Sequence, residues 1–212
     1  MKPFGLADGP LRITCLGAHC DDIEIGAGAT LLRLLDEHPG SSVTWVVPAS
    51  DDRRATEARA SSAAFCAAAA SLDVSIGDLD ENVFPFIGAE VRSFLVDATD
   101  PTACDLVFAP RADDLHQDHR LIADLALQRF RDQPILRYEI AKYDGDLTTP
   151  NAYVGLEDHH VDRKIELLFE HFGSQVHRPW FDERAFRGLM RIRGVECNRT
   201  WAEGFHVAKF AI

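Results

Sequence analysis

Leu11-Arg12-Ile13-Thr14-Cys15-Leu16-Gly17 runs directly into Ala18-His19-Cys20-Asp21-Asp22-Ile23-Glu24. The first seven residues form a short apolar and β-branched run, which reads as a buried strand. The next seven break that run with a histidine and three acids, where a strand should give way to a helix. From Gly26 to His38 the apolar residues return at a spacing near 3.6, and His38-Pro39-Gly40 stops that helix and turns the chain. A strand, a polar loop and a helix in this order make the repeating unit of an α/β fold.

The same alternation continues outward. Ser42–Pro48 reads as a second strand, Leu72–Ile76 as a weaker third, Asp105–Pro110 as a clear fourth, and Ile135–Ile140 and Phe205–Ile212 as later ones. Arg54–Ser71 (Ala-rich), Ala89–Ala98, Asp118–Arg131 and Val161–Phe172 carry helical spacing between them. Tyr143–His160, with its Pro, Gly and Asp, reads as a strand-poor loop over a site. No internal repeat, low-complexity tract or linker interrupts the chain, so residues 1–212 are expected to form one doubly wound α/β domain with a mostly parallel sheet. Gly26-Ala27-Gly28 lacks both a third spaced glycine and a phosphate-binding lysine, and is assigned to helix packing.

Composition narrows the partners. At 212 residues, 46% hydrophobic and 26% charged, the chain is long enough to bury its own core without disulfides or a structural metal. Lys and Arg number 22 against 34 Asp and Glu, a net charge of −12, which argues against nucleic acid and anionic membranes as partners. The arginines between Arg178 and Arg193 interleave with Asp182 and Glu183, and read as a solvated helical face. The longest apolar stretch, Ala63–Leu72, is too short to span a bilayer, so no stable membrane insertion is expected. Five cysteines without CxxC spacing, and an N-terminus without an apolar signal core, lead to the expectation of a cytoplasmic protein. Homo-oligomerisation is left open.

In doubly wound sheets, ligands bind beyond the carboxyl ends of the strands. Two His/Asp clusters follow strands there: His19, Asp21 and Asp22 after the first, and His116, Asp118 and His119 after the fourth. A hydrolytic zinc ion takes three N/O ligands and keeps a position open for water. His19 and Asp22, at i and i+3, can turn toward one point, and His119 would complete a His₂Asp set. Ligand type alone also admits Fe²⁺ or Mn²⁺. Of the adjacent acids, one can ligate while the other takes a proton from water. His116 is available to stabilise an oxyanion or to protonate a leaving amine, and Asp118, if it holds one ring nitrogen of His116, would keep that imidazole cationic.

Ala18-His19-Cys20-Asp21-Asp22-Ile23-Glu24, followed by Gly26-x-Gly28-x-Thr30, resembles the AHPDDxE signature of the PIG-L/LmbE-like zinc deacetylases. His116-Gln117-Asp118-His119-Arg120 is similar to that family's HxDH signature. Arg54-Ala55-Thr56-Glu57-Ala58, Lys164 with His171-x-x-Ser174-Gln175, and the closing Arg193-Gly194 and Ala202-Glu203-x-Phe205 extend the resemblance over most of the chain. It implies a Rossmann-like fold, His19, Asp22 and His119 as metal ligands, Asp21 as general base, and His116 as an electrophilic helper oriented by Asp118. It also implies removal of N-acetyl groups from N-acetylglucosamine-containing molecules. Cys20 stands where the family usually has Pro, and Trp201 and Gly204 replace the more usual Tyr and Ala.

The expectation is therefore a zinc-dependent N-deacetylase acting on a small N-acetylated amino sugar or sugar conjugate. Arg54 is a candidate for holding a substrate phosphate or carboxylate. Two alternatives stand beside it: a zinc amidase on a larger amide conjugate, and a non-catalytic metal- or ligand-binding module. A serine hydrolase is disfavoured because no G-x-S-x-G elbow is present.

Overall fold

The computed structural model describes residues 8–208. Among the described residues are seven strands: β1 (Arg12–Leu16), β2 (Ser42–Ala49), β3 (Ser71–Leu79), β4 (Leu106–Pro110), β5 (Ile135–Tyr138), β6 (Ala152–Leu156) and β7 (Trp201–His206). They form one sheet in the order β3-β2-β1-β4-β5-β7-β6. The first five strands in that order are parallel, and β7 runs antiparallel to both β5 and β6. Six α-helices among the described residues cover it: α1 (Asp22–Glu37), α2 (Asp52–Phe65), α3 (Gly88–Asp97), α4 (Gln117–Arg129), α5 (Asp158–His171) and α6 (Glu183–Glu196). The fold is α/β with a mostly parallel, doubly wound sheet.

Strand alternation divides the core in two. Ile13, Cys15, Val43, Trp45, Val47, Leu106 and Phe108 pack with α1, α2, α5 and α6, whereas Leu16, Val46, Val107 and Ala109 pack with α3 and α4. Strands buried on both faces are what a parallel sheet requires, and they explain why the strand runs in this sequence are nearly continuous in apolar residues. The close approach of α1 to the sheet depends on Gly26: a Cβ there would lie 2.1 Å from Cδ2 of Tyr138. The glycines of this helix thus serve packing.

Two buried ion pairs brace the antiparallel end. Lys164 of α5 lies 2.7 Å from Glu203 of β7, and Glu203 also accepts hydrogen bonds from the Ala29 and Thr30 amides of α1. Arg193 of α6 makes a two-pronged contact with Glu139 at 2.6 and 2.7 Å. A buried charge is tolerated only with such partners. Arg193 is therefore a correction to the solvated-face reading of the α6 arginines: that face is helical, but this arginine is buried at 5% exposure.

Other elements differ from expectation for identifiable reasons. β6 lies within the stretch read as strand-poor. It is a short edge strand of mostly half-buried residues beside Pro150, and only its pairing with β7 makes it a strand. Helix α1 starts at Asp22 rather than Gly26 because its first turn is built from the polar motif itself, with the Ile25 amide bonded to the Asp21 carbonyl. Helix α2 stops at Phe65 rather than Ser71. The alanines that follow favour helix, but the chain must turn there, and the Ala70 amide already bonds to Ser41 as β3 begins. The last strand spans Trp201–His206, and the end of the predicted Phe205–Ile212 run lies outside the described residues. Among the described residues, no helix is long and apolar enough to cross a membrane.

Candidate active site

After β3 the chain returns across the sheet to place β4 on the other side of β1. The loops leaving the carboxyl ends of β1 and β4 therefore diverge around a crevice, and both His/Asp clusters sit there. Residues a hundred positions apart meet: His19 Nδ1 is 3.2 Å from His119 Nε2. Asp22 closes the triangle, with Oδ2 3.5 Å from His19 Nδ1 and Oδ1 3.4 Å from His119 Nε2. All three side chains are buried, at 8% exposure or less.

The local chain explains how Asp22 reaches this position. Its Oδ2 accepts hydrogen bonds from the Ala18 and His19 amides at 2.8 and 2.9 Å, folding the carboxylate back over the loop and leaving Oδ1 toward His119. Each imidazole has a second carboxylate within ion-pair distance on its far side. Asp118 Oδ2 lies 3.3 Å from His19 Nε2, and Asp114 Oδ2 lies 3.0 Å from His119 Nδ1. Burial disfavours a charged imidazole, but Asp22 and Asp118 outweigh it and lift His19 to about 10. Burial likewise opposes, and Asp22 and Asp114 prevail, at His119, lifted to about 9. The acids around these two rings thus demand positive charge.

A divalent ion meets that demand. Ligand atoms on a tetrahedron with bonds near 2.0–2.2 Å are separated by about 3.3–3.6 Å; His19 Nδ1 and His119 Nε2 stand close to that, at 3.2 Å, and each has a different Asp22 oxygen at 3.5 and 3.4 Å. Two imidazoles and a carboxylate suit zinc, and a carboxylate behind each ligating histidine is the usual support for such a site. His19, Asp22 and His119 therefore fit a metal. His116 also brings a ring nitrogen within 4.8 Å of His19 and His119, so the histidines alone make a second three-atom set.

Asp21 stands beside this triangle and makes a different contact. Its Oδ1 accepts from Arg54 Nη2 at 3.1 Å, and the other Arg54 nitrogen bonds to Glu81. Burial raises the Asp21 carboxyl and neighbouring Asp22 adds to that, while Arg54 pulls it down, leaving it at about 6. A carboxylate in that range is placed to exchange a proton near neutrality. Arg54, a candidate for holding substrate, spends its guanidinium on Asp21 and Glu81.

The expected pairing of His116 with Asp118 is not what the side chains do. His116 is the N-cap of α4, and its Nδ1 accepts a hydrogen bond from the Asp118 backbone amide at 3.2 Å. Its Nε2 faces Asn82 Oδ1 at 3.1 Å. The Asp118 carboxylate is turned away, accepting from the Asn82 and Phe84 amides at 2.6 and 3.1 Å and reaching His19. His116 is accordingly lowered, by burial and then by the neighbouring imidazoles, rather than held cationic.

Several contributors carried little signal in the sequence. Asp114 lies two residues before His116 in the same loop and was readable as a further acid at a strand end. Lys142, which sits 3.1 Å from Asp114 and 2.9 Å from Asp146, and Asn82, from the loop after β3, carry no spacing that marks them. Cys20 is buried with its thiol donating to the Ala49 carbonyl, and burial pushes its pKa up, so it stays a thiol. Glu24 accepts from Ser61 Oγ at 2.7 Å and ties α1 to α2, its carboxyl raised by burial to about 8.

Residues 14–130 match the sequence profile of the family described as PIG-L: GlcNAc-PI de-N-acetylase. A comparison with curated proteins returns no match. Among solved structures, a conserved protein of Thermus thermophilus superposes with a TM-score of 0.72 at 18% identity, over 95% of this chain and 96% of that one. N,N'-diacetylchitobiose deacetylase from Pyrococcus horikoshii superposes at 0.67 and 19%, over 92% of this chain and 83% of that one. The 4-carboxy-2-hydroxymuconate hydratase of Pseudomonas putida superposes at 0.68 and 14%, over 95% and 98%. At such identities the likeness is one of fold, and a deacetylase and a hydratase share it.

Proposed function

Because this chain belongs to the PIG-L (GlcNAc-PI de-N-acetylase) family, we propose that it is a metal-dependent hydrolase that removes the N-acetyl group from an N-acetylglucosamine-type amino sugar or sugar conjugate. The observation that carries this reading is the placement of Asp21 beside, but outside, the His19–Asp22–His119 triangle. A ligand set alone would bind an ion. A buried carboxylate poised at about 6 next to it is what hydrolysis adds.

A divalent ion held by His19, Asp22 and His119, zinc by preference with Fe²⁺ or Mn²⁺ as substitutes, would supply the Lewis acidity that brings water's pKa toward neutrality. Asp21 then accepts the proton of the attacking water. The oxygen adds to the acetamide carbonyl carbon, and the N–H of His116 donates to the carbonyl oxygen as it gains negative charge. The C–N bond breaks, the nitrogen takes up the proton that Asp21 received, and acetate and a free amine leave. Arg54, itself held by Glu81, keeps Asp21 in line throughout.

The test is acetate release by metal-loaded protein across free N-acetyl sugars, glycosides, nucleotide-linked sugars and larger acyl-amide conjugates, with Asp21→Asn as control. Release from one sugar class, lost in the control, supports the reading. Release only from longer acyl amides would make the enzyme an amidase. Metal and ligand binding with no turnover on any of them would make it a binding module.

A further inference from the structure

Asn82 is an exposed residue at φ 66°, the left-handed conformation that asparagine adopts more readily than most residues bearing a Cβ. Its exposure means that core packing does not impose this. What holds it is a set of three polar contacts, all to the turn that opens α4. Its amide donates to Asp118 Oδ2, its carbonyl accepts from the Gln117 side chain, and its Oδ1 lies 3.1 Å from His116 Nε2.

Two contacts hold the His116 ring: one sets which nitrogen carries the proton, and the other, from Asn82, sets where that N–H points. The Asp118 backbone amide can only donate, so His116 Nδ1, which faces it at 3.2 Å, must present its lone pair. In the neutral ring the proton is then on Nε2, and the Nε2–H donates to the Asn82 side-chain carbonyl oxygen. The Asp118 carboxylate, which the sequence offered for this task, is engaged by the Asn82 and Phe84 amides and by His19.

We propose that Asn82 is the positioning residue for His116, its left-handed backbone aiming Oδ1 so that the Nε2–H is held in direction as the hydrogen-bond donor of the crevice. The inference rests on the hydrolase reading for its catalytic consequence, but not for its structural content. In the resting protein Asn82 holds the N–H in direction. When a carbonyl oxygen enters and gains charge, the N–H turns to it, and the Asn82 oxygen returns to water at the exposed rim.

The test uses the full chain, loaded with diamagnetic Zn²⁺ and also metal-free. Asn82→Gly keeps the left-handed backbone without strain and removes only the side chain. Asn82→Asp keeps an acceptor oxygen in the same place. Ring ¹⁵N–¹H correlation spectra, with His116 assigned by comparison with His116→Ala, report its tautomer and the exchange of its ring N–H with water. The wild type and both Asn82 variants are expected to keep the Nε2–H tautomer that the Asp118 amide dictates; the wild type and Asn82→Asp are expected to show that proton as a sharp, hydrogen-bonded resonance, and Asn82→Gly to lose it to fast exchange with water, with unchanged melting temperature and metal stoichiometry. In acetate release, Asn82→Gly is expected to lose about 10- to 100-fold in kcat with little change in KM, and Asn82→Asp to recover most of it. A sharp, protected Nε2–H in Asn82→Gly, or wild-type kcat in that variant, overturns the proposal. If the wild type releases no acetate from any substrate, the hydrolase reading fails, and the exchange result alone decides for or against Asn82.

Discussion

Arg54 Nη2 lies 3.1 Å from Asp21 Oδ1, joining the first turn of α2 to the residue that precedes α1, 33 positions away in the chain. The contact gives the buried Asp21 carboxylate a fixed direction and a counter-charge, while Glu81 holds the guanidinium from the other side. Arg54→Met removes both effects. It is expected to lower kcat for acetate release about tenfold while metal stoichiometry stays at the wild-type value, since Arg54 touches none of His19, Asp22 or His119. Loss of bound metal in this variant would show that Arg54 supports the ligands instead.

Asp21→Asn is nearly isosteric and removes the proton acceptor alone. Its kcat is expected to fall by about 10² to 10⁴, the usual contribution of a positioned base, with metal retained. Steady-state acetate release together with metal analysis of the same sample checks both halves. An active Asp21→Asn variant would mean that the proton goes elsewhere.

Asp114 stands 3.0 Å from His119 Nδ1, and Lys142 holds it there at 3.1 Å. A carboxylate behind a ligating imidazole fixes the ring and strengthens its donor nitrogen. Asp114→Asn is therefore expected to weaken Zn²⁺ binding about 10- to 100-fold, read by competition with a chromophoric chelator. His119→Ala, which deletes a ligand outright, is expected to lose tight stoichiometric metal altogether. Unchanged affinity in both would refute the proposed ligand set.

Glu203 neutralises buried Lys164 and accepts from two amides of α1. Glu203→Ala leaves the ammonium buried without its partner, which costs about 3–5 kcal/mol. Thermal or urea unfolding measures that loss. Replacing both partners with apolar residues, Lys164→Met with Glu203→Leu, is expected to recover part of the stability, because no uncompensated charge then remains inside.

Gly26→Ala would bring a methyl to 2.1 Å from the Tyr138 ring, closer than any relaxed contact. Helix propensity favours alanine over glycine by about 1 kcal/mol, but overpacking of this kind costs about 1–3 kcal/mol and more when the backbone must shift. The variant is expected to unfold at lower denaturant concentration than the wild type. A stabilised variant would show that α1 has room to move off the sheet.

How much of the site can be read in the sequence follows from how local each feature is. The turn carrying His19, Asp21 and Asp22 is bound together by hydrogen bonds spanning three or four residues, so its motif reads directly. The partners of Asp118 are 34, 36 and 99 residues away, and the choice among them depends on loop directions that no spacing encodes. For that reason the sequence suggested Asp118 behind His116, while the folded chain puts it behind His19 and gives His116 to Asn82.

The α/β alternation, the parallel strands with their continuous apolar runs, and the two His/Asp clusters that follow β1 and β4 are all legible in the chain as a linear string. They are consequences of local periodicity and of which residues can be buried, and periodicity is written along the chain. That Ala152–Leu156 is a strand, that Arg193 is buried against Glu139, and which acid stands behind which imidazole became fixed only on folding. Each of these depends on a partner brought from far along the chain. A hydrogen bond or ion pair is a matter of distances within about 3–4 Å and of direction, and only the packed chain sets both.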